Sequence, residues 1–190
     1  MQSKEVTKMN KFIKLPLYLA IVGAVSTAAL ATVYEITAPI IAEAKIKAEK
    51  AALIQIFPEA EFSLVEDAAL ALDTSETSKG LEKIFAAKEN GETVGYIYKG
   101  AVSGFKGGAI TFLISISPDG KFNGYAVTGM TDQTQGIGTK VADKSFYDQF
   151  LDKEITVASS ILTIDGATFS SEPVVNAIKA AANHFNSNVK

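Results

Sequence analysis

Asn90-Gly-Glu-Thr-Val-Gly-Tyr-Ile-Tyr98 decides how the polar part of this chain is read. A two-residue type I′ turn requires positive φ at both central positions, and an Asn-Gly pair supplies it more readily than almost any other. The turn predicts a hairpin between a strand over Leu81–Ala87 and a second over Thr93–Tyr98. Ala109-Ile-Thr-Phe-Leu-Ile-Ser-Ile116 is a further apolar, β-branched run, and Pro118-Asp119-Gly120 turns it into a strand over Lys121–Thr128. Gly104, Gly107 and Gly108 mark the loop before the Ala109 strand. These runs predict a small antiparallel sheet.

Toward the C-terminus, Gly129 to Thr139 has no apolar period, and Asp143 is placed to cap a short helix running through Phe150. A last helix is predicted from about Glu172 to Phe185. Ser170 or Ser171 would cap it, Pro173 would sit in its first turn, and Val174, Ile178, Ala181 and Phe185 would share one face. His184 reads as an exposed residue of that helix, not a metal ligand. Toward the N-terminus, residues 59–80 are mixed, with Asp73–Gly80 as an exposed loop. Pro39 to Phe57 has Ile41, Ala44, Ala48, Ala52 and Ile56 at helical spacing before Pro58 stops it.

Leu15–Tyr34 holds no charged residue, with Lys14 and Glu35 at its flanks. This is about the 20 residues that a bilayer core requires. Ala29-Leu-Ala31 fits the small-x-small pattern of a signal-peptidase site, but Val33, Tyr34 and Ile36 carry the apolar run past it, which favours a retained anchor. Lys4, Lys8, Lys11 and Lys14 precede the span against Glu5 alone, whereas Glu35 and Glu43 follow it before Lys45. The positive-inside rule then puts the N-terminus in the cytoplasm and the large domain outside the plasma membrane. The expected organisation is α+β: a cytoplasmic segment 1–14, a single transmembrane helix 15–36, a connecting helix 37–58, and an extracytoplasmic domain 59–190 with helices packed on the sheet.

Composition narrows the chemistry. The chain has no cysteine, hence no thiolate-held iron–sulfur cluster, no c-type haem attachment, no disulfide and no lipoprotein anchor. One histidine leaves zinc chemistry and a Ser–His triad without support. The acidic balance, net charge −3, forms no basic stripe for nucleic acid. Redox work would therefore need an organic cofactor.

Two loops could bind one. In Thr134-Gln-Gly-Ile-Gly-Thr139, Gly136 and Gly138 flank Ile137 and would let the backbone approach a flat ring or a phosphate, although such a pair also makes ordinary turns. The second loop, Asp165-Gly-Ala-Thr-Phe-Ser-Ser171, lies at the start of the last helix, where unpaired N–H groups and the helix dipole favour an anion. Gly166 and Ala167 leave the Thr168 hydroxyl open to approach. A plain serine-capped helix start is the competing reading of the same residues.

Gly166-Ala-Thr-Phe-Ser-Ser171, followed by Val174-Val175, resembles the [Ser/Thr]-Gly-Ala-Thr motif of FMN-binding domains, a family that includes the G subunit of Rnf and the C subunit of the sodium-pumping quinone reductase. Gln133-Thr-Gln-Gly-Ile-Gly138 is similar to the family's Glu-Thr-Pro-Gly-Leu-Gly loop, with Gln133 and Gln135 departing from it. The span followed by Thr37-Ala-Pro-Ile-Ile-Ala-Glu43 also resembles the N-terminus of the Rnf G subunit, whose length suits this chain. Asp165 stands where the family has Ser or Thr, and Leu162 where an aspartate is common.

The resemblance implies FMN bound covalently through a phosphoester at Thr168, attached by a flavin transferase. The ring would be surrounded by Thr134, Gly136, Ile137, Gly138, Thr139, Gly166, Ala167, Ser170 and Ser171. It further implies an electron carrier without a catalytic acid or base, working with the other membrane subunits of an Rnf-type ferredoxin:NAD+ oxidoreductase coupled to Na+ or H+ translocation. The alternatives are an anchored FMN protein of another electron-export chain, or a non-redox binding module of the same fold.

Overall fold

The computed structural model describes residues 11–65, 67 and 70–189, with side chains described from Lys14 onward. Lys4 and Lys8, on which part of the orientation argument rests, lie outside the described residues. The chain divides into two compact units with the boundary between Ala44 and Lys45.

Helix α1 spans Lys11–Ile56, so the expected span and connecting helix form one 46-residue helix with Pro16 and Pro39 inside it. Within the first unit its apolar side chains, among them Leu15, Leu19, Leu30 and Tyr34, are exposed. The hydroxyls of Thr27, Thr32 and Thr37 each donate to the carbonyl four residues earlier at 2.8 Å. A helix that satisfies its own polar groups in this way suits a hydrocarbon environment. Among the described residues it is the one helix long and apolar enough to cross a membrane.

The second unit is built on a five-stranded antiparallel sheet in sequential order: β1 (Glu61–Leu64), β2 (Leu81–Glu89), β3 (Glu92–Ser103), β4 (Ala109–Ile116) and β5 (Phe122–Met130). The predicted hairpin is present: Asn90 and Gly91 have φ of 51° and 86°, and Glu89 pairs with Glu92 across the turn. Strand β3 continues past the predicted end at Tyr98, because Lys99 to Ser103 find partners on β4 from Leu113 back to Ala109. β1 emerges from the mixed 59–80 region, where no strand is expected. The expected Asp73–Gly80 loop contains a helical turn, α2 (Thr74–Thr77), held by a capping box in which Asp73 accepts from the Ser75 and Glu76 N–H groups and Glu76 accepts from the Asp73 N–H.

Both faces of the sheet are covered, which explains why Ile110, Phe112, Leu113, Ile114 and Ile116 of β4 are all fully buried. One face carries helix α4 (Thr168–Asn188), through Val174, Ile178, Ala181 and Phe185 against Tyr98, Phe112 and Ile114. The other carries the last turns of α1 and the Phe57 that follows them, where Ala52, Leu53 and Phe57 meet Ile97, Leu113 and Ala126. Lys99 on that face bonds Glu49 at 2.6 Å, with Glu82 at 3.6 Å. Helix α3 is only Lys144–Tyr147. Asp143 precedes it without a side-chain cap, and turns carry the chain on to Phe150 instead of the expected helix.

His184 corrects the expectation of an exposed residue. It is 1% exposed, and its Nδ1 lies 3.1 Å from the hydroxyl of Tyr98, itself fully buried. Burial pushes the Tyr98 phenol well above its usual pKa, which keeps it protonated and able to share this bond. Removing one partner of a buried pair leaves the other unsatisfied, at about 1–3 kcal/mol. Tyr98→Phe and His184→Leu should each destabilise the domain by that amount in urea unfolding. The double variant should lose less than the sum of the two, since the orphaned group is then gone.

Candidate functional site

The two loops singled out by sequence meet at the N-terminal end of α4. Thr168 is the first residue of that helix, four positions earlier than the predicted start. The predicted serine caps are corrected as well: Ala167 occupies the cap position without a side-chain bond, and Ser170 and Ser171 lie inside the first turn, 2% and 0% exposed. Helical phase turns both serines toward the protein, where Ser170 bonds across to Gln133 and Ser171 to Ile164 and to the Ala167 carbonyl.

Ser171 closes the turn before the helix. Its Oγ accepts from the Ile164 N–H at 2.9 Å and donates to the Ala167 carbonyl at 3.0 Å. The Ala167 N–H returns to the Ile164 carbonyl at 2.9 Å, making a tight turn with Asp165 and Gly166 at its corner. Gly166 has φ of 74°, as the third position of a type II turn demands. The N–H groups of Ser170 and Ser171 are both taken by the Ala167 carbonyl, whereas those of Thr168 and Phe169 have no partner among the described residues. Two free donors at the positive end of a 21-residue helix, beside an exposed hydroxyl, suit a phosphate.

The Thr134–Thr139 loop is pinned from within. The Thr134 carbonyl accepts from the Ile137 and Gly138 N–H groups at 3.1 and 2.9 Å, and the Thr139 hydroxyl accepts from the Gly136 N–H at 2.9 Å. Its glycines serve different ends. Gly136 has φ of 72° and open space around it, whereas a Cβ on Gly138 would fall 2.7 Å from Ser170 Oγ. The expected close approach at Gly138 is thus to the protein's own helix.

Gln133 stands out in the sequence only as a departure from the family loop, with no sign of a role in the site, yet its amide lies between the two loops. Ser170 Oγ donates to Gln133 Oε1 at 2.7 Å, and Gln133 Nε2 donates to the carbonyls of Gly108 and Thr131 at 3.1 and 3.0 Å. Leu162, the other departure ahead of the turn, has its backbone held by Gln149 through bonds of 2.9 and 3.3 Å, and its side chain is 71% exposed. Phe105, Ile137 and Phe169, which lie next to or near residues joined through Gln133, are also exposed large apolar residues. Beyond Phe169 a groove of about 570 Å³ runs between Thr77–Gly80, Ala101–Gly104 and Glu172, Pro173 and Asn176 of α4. Among the described residues no group of histidine and acidic side chains is arranged to hold a metal.

This sheet-and-helix frame with its paired loops is that of an FMN-binding domain: residues 104–183 match that family, and residues 9–56 match the RnfG N-terminal region. The fold is shared with the crystal structure of Shewanella oneidensis NqrC, at a TM-score of 0.53 and 14% identity over 78% of this chain and 97% of that one. Relatives extend over nearly the full length. The G subunit of the Na(+)-translocating ferredoxin:NAD(+) oxidoreductase complex of Acetobacterium woodii is 30% identical over 94% of each chain. The G subunit of the proton-translocating ferredoxin:NAD(+) oxidoreductase complex of Clostridium ljungdahlii is 29% identical over 90% of each. The G subunit of the ion-translocating oxidoreductase complex of Methanosarcina acetivorans is 29% identical over 96% of this chain and 95% of its own. The chain belongs to this family, the G subunits of Rnf complexes.

The two glycines of the loop should respond differently to substitution. Gly138→Ala forces a methyl against Ser170 Oγ and the Gln133 amide, and should cost about 1–3 kcal/mol. Gly136→Ala meets no atom and carries only the left-handed backbone penalty, about 1 kcal/mol. Thermal unfolding of the two variants should rank Gly138→Ala below Gly136→Ala; the reverse order would contradict the packing at Gly138.

Proposed function

We propose that this protein is a membrane-anchored electron carrier of an Rnf-type, ion-translocating ferredoxin:NAD+ oxidoreductase complex, with FMN esterified to Thr168. The observation that carries the reading is the exposed Thr168 hydroxyl beside the two unpaired N–H groups at the start of α4. The match to the FMN-binding domain and the names of the full-length relatives support it.

FMN supplies reversible uptake and release of electrons. The chain's own residues bind and orient it. In the esterification, Thr168 Oγ1 bonds to the FMN phosphorus of a flavin dinucleotide as the phosphoanhydride bond to the departing nucleoside monophosphate breaks and that monophosphate takes up the hydroxyl proton, so the protein gains the mass of FMN less water. The remaining negative charge of the diester faces the Thr168 and Phe169 N–H groups. Phe169, in the first turn of α4, and Ile137, in the Thr134–Thr139 loop, are both exposed and offer apolar surface to a flat ring. An electron relay needs no acid or base, and none is assigned.

Covalent attachment is tested by coexpression with a flavin transferase, denaturing electrophoresis and in-gel fluorescence. Wild type should glow and show the mass of FMN less water, and Thr168→Ala should be dark. Ser171→Ala loosens the Ile164–Ala167 turn but keeps the acceptor hydroxyl, so it should remain fluorescent. A glowing Thr168→Ala would move the attachment elsewhere. A dark wild type would point to Leu162 and Asp165 and to a domain without covalent flavin.

The anchored, extracytoplasmic arrangement rests on the uncharged Leu15–Tyr34 stretch and the lysines before it. Protease added to sealed right-side-out vesicles should cleave within the exposed Thr77–Lys79 segment. Cleavage there confined to inverted vesicles would reverse the orientation.

A further inference from the structure

We propose that Gln133 is the positioning residue of the flavin site, its side-chain amide fixing the Thr134–Thr139 loop and the Gly104–Gly108 loop against the first turn of α4. The inference rests on the reading that Thr168 carries FMN. Gln133 joins segments 25 and 37 residues away in sequence, through the Gly108 carbonyl and the Ser170 hydroxyl. The network also sets the amide's orientation. Nε2 faces two carbonyls, of Gly108 and Thr131, and Oε1 faces a hydroxyl that donates; the flipped amide would turn an acceptor toward two acceptors.

Packing enforces the same placement. A Cβ on Gly104, Gly108 or Gly138 would come within 2.9, 2.8 or 3.0 Å of the Gln133 amide atoms, so the three backbones close around it. Ser170, which receives the far end of the lock, is 2% exposed and two residues from Thr168. Thr134, immediately after Gln133, supplies the carbonyl that holds Ile137 and Gly138. One side chain therefore sets where the loop backbone and the Ile137 side chain stand relative to the attachment residue. The full set of bonds is particular to the amide: a carboxylate, which the similar family loop carries at this position, can accept from Ser170 but lacks the two donors, and an apolar isostere lacks all three bonds.

The test uses the full chain in detergent, with Gln133→Met, Gln133→Glu and, as a purely structural control, Tyr98→Phe. Without the transferase, amide hydrogen exchange reads the lock alone: in Gln133→Met the amides of 134–139 should exchange at least about ten-fold faster, while the β3–β4 amides stay protected. With the transferase, intact mass first establishes that flavin is attached. Flavin fluorescence anisotropy should then fall in Gln133→Met. The midpoint potential should shift in Gln133→Met and move to lower values in Gln133→Glu, which adds a negative charge beside the site. Tyr98→Phe should lose stability without changing either flavin property. A folded Gln133→Met with unchanged exchange overturns the proposal, as does faster exchange with anisotropy and potential both unchanged. If Gln133→Met does not fold, Gln133→Glu, which keeps the Ser170 bond, carries the same comparisons. Wild type lacking the flavin mass would overturn the FMN reading and the positioning role with it, while the exchange result would still decide whether the lock exists.

Discussion

Helix α4 lies across the sheet with Val174, Ile178, Ala181 and Phe185 fully buried, and its rotation about its own axis is fixed by that contact. Burying each of the larger of these side chains stabilises the fold by roughly 1.5–3 kcal/mol, so a rotated helix would forfeit several such terms at once. The consequences reach the first turn. At about 100° per residue, the phase that buries Val174 and Ile178 also turns Ser170 and Ser171 inward, and it leaves Thr168, Phe169, Glu172 and Asn176 on the solvent arc. The exposure of Thr168 is therefore dictated by core packing several residues away. The Thr168 hydroxyl is presented by a rigid element, and the inward serines become available to tie down the loops around it.

That division of labour also separates what sequence could reveal from what it could not. The Asn90-Gly91 and Pro118–Gly120 turns were legible because each is a local backbone requirement met by the residues that suit it. The apolar face of α4 was legible from spacing. The capping box of α2 was equally local, with Asp73 and Glu76 three apart, and could have been read from that pattern. β1 gave no such signal: it is a short edge strand, largely exposed, without alternation. His184 and Gln133 were misjudged for a different reason. Their partners are 86 residues away for His184 and 25 and 37 away for Gln133, and no period within a helix or loop encodes a bond across such distances. His184 misled further because α4 is buried over more than half its circumference, so a polar residue beside the expected stripe still falls inside.

The serine cap failed through a competing use of the same chemistry. Ser170 and Ser171 have the short hydroxyl side chains that favour a cap, and a helix beginning at Glu172 would have used one of them. The turn at Asp165-Gly166 instead delivers the chain to the helix earlier, and the hydroxyls bond backward to Ala167 and Ile164 and across to Gln133. The first free N–H groups of the helix then go without an internal cap. A helix end whose capping residues are diverted to hold the loops around it is left with donors for an outside anion.

The two departures from the FMN-domain motif can be placed in the same frame. The Leu162 side chain projects into solvent while Gln149 holds its backbone, and Asp165 occupies the exposed corner of a turn whose geometry depends on Gly166 and Ser171. Neither side chain contributes to the core or to the network around Gln133, so fold and loop architecture are indifferent to both. Any effect of these residues on the proposed attachment at Thr168 must fall on recognition by a modifying enzyme or on the local charge. Asp165 stands there as an exposed charge screened by water and salt. Folding of this domain and the proposed attachment at Thr168 are thus separable: the packing of α4 sets the first, and the solvent-facing residues before Thr168 bear on the second.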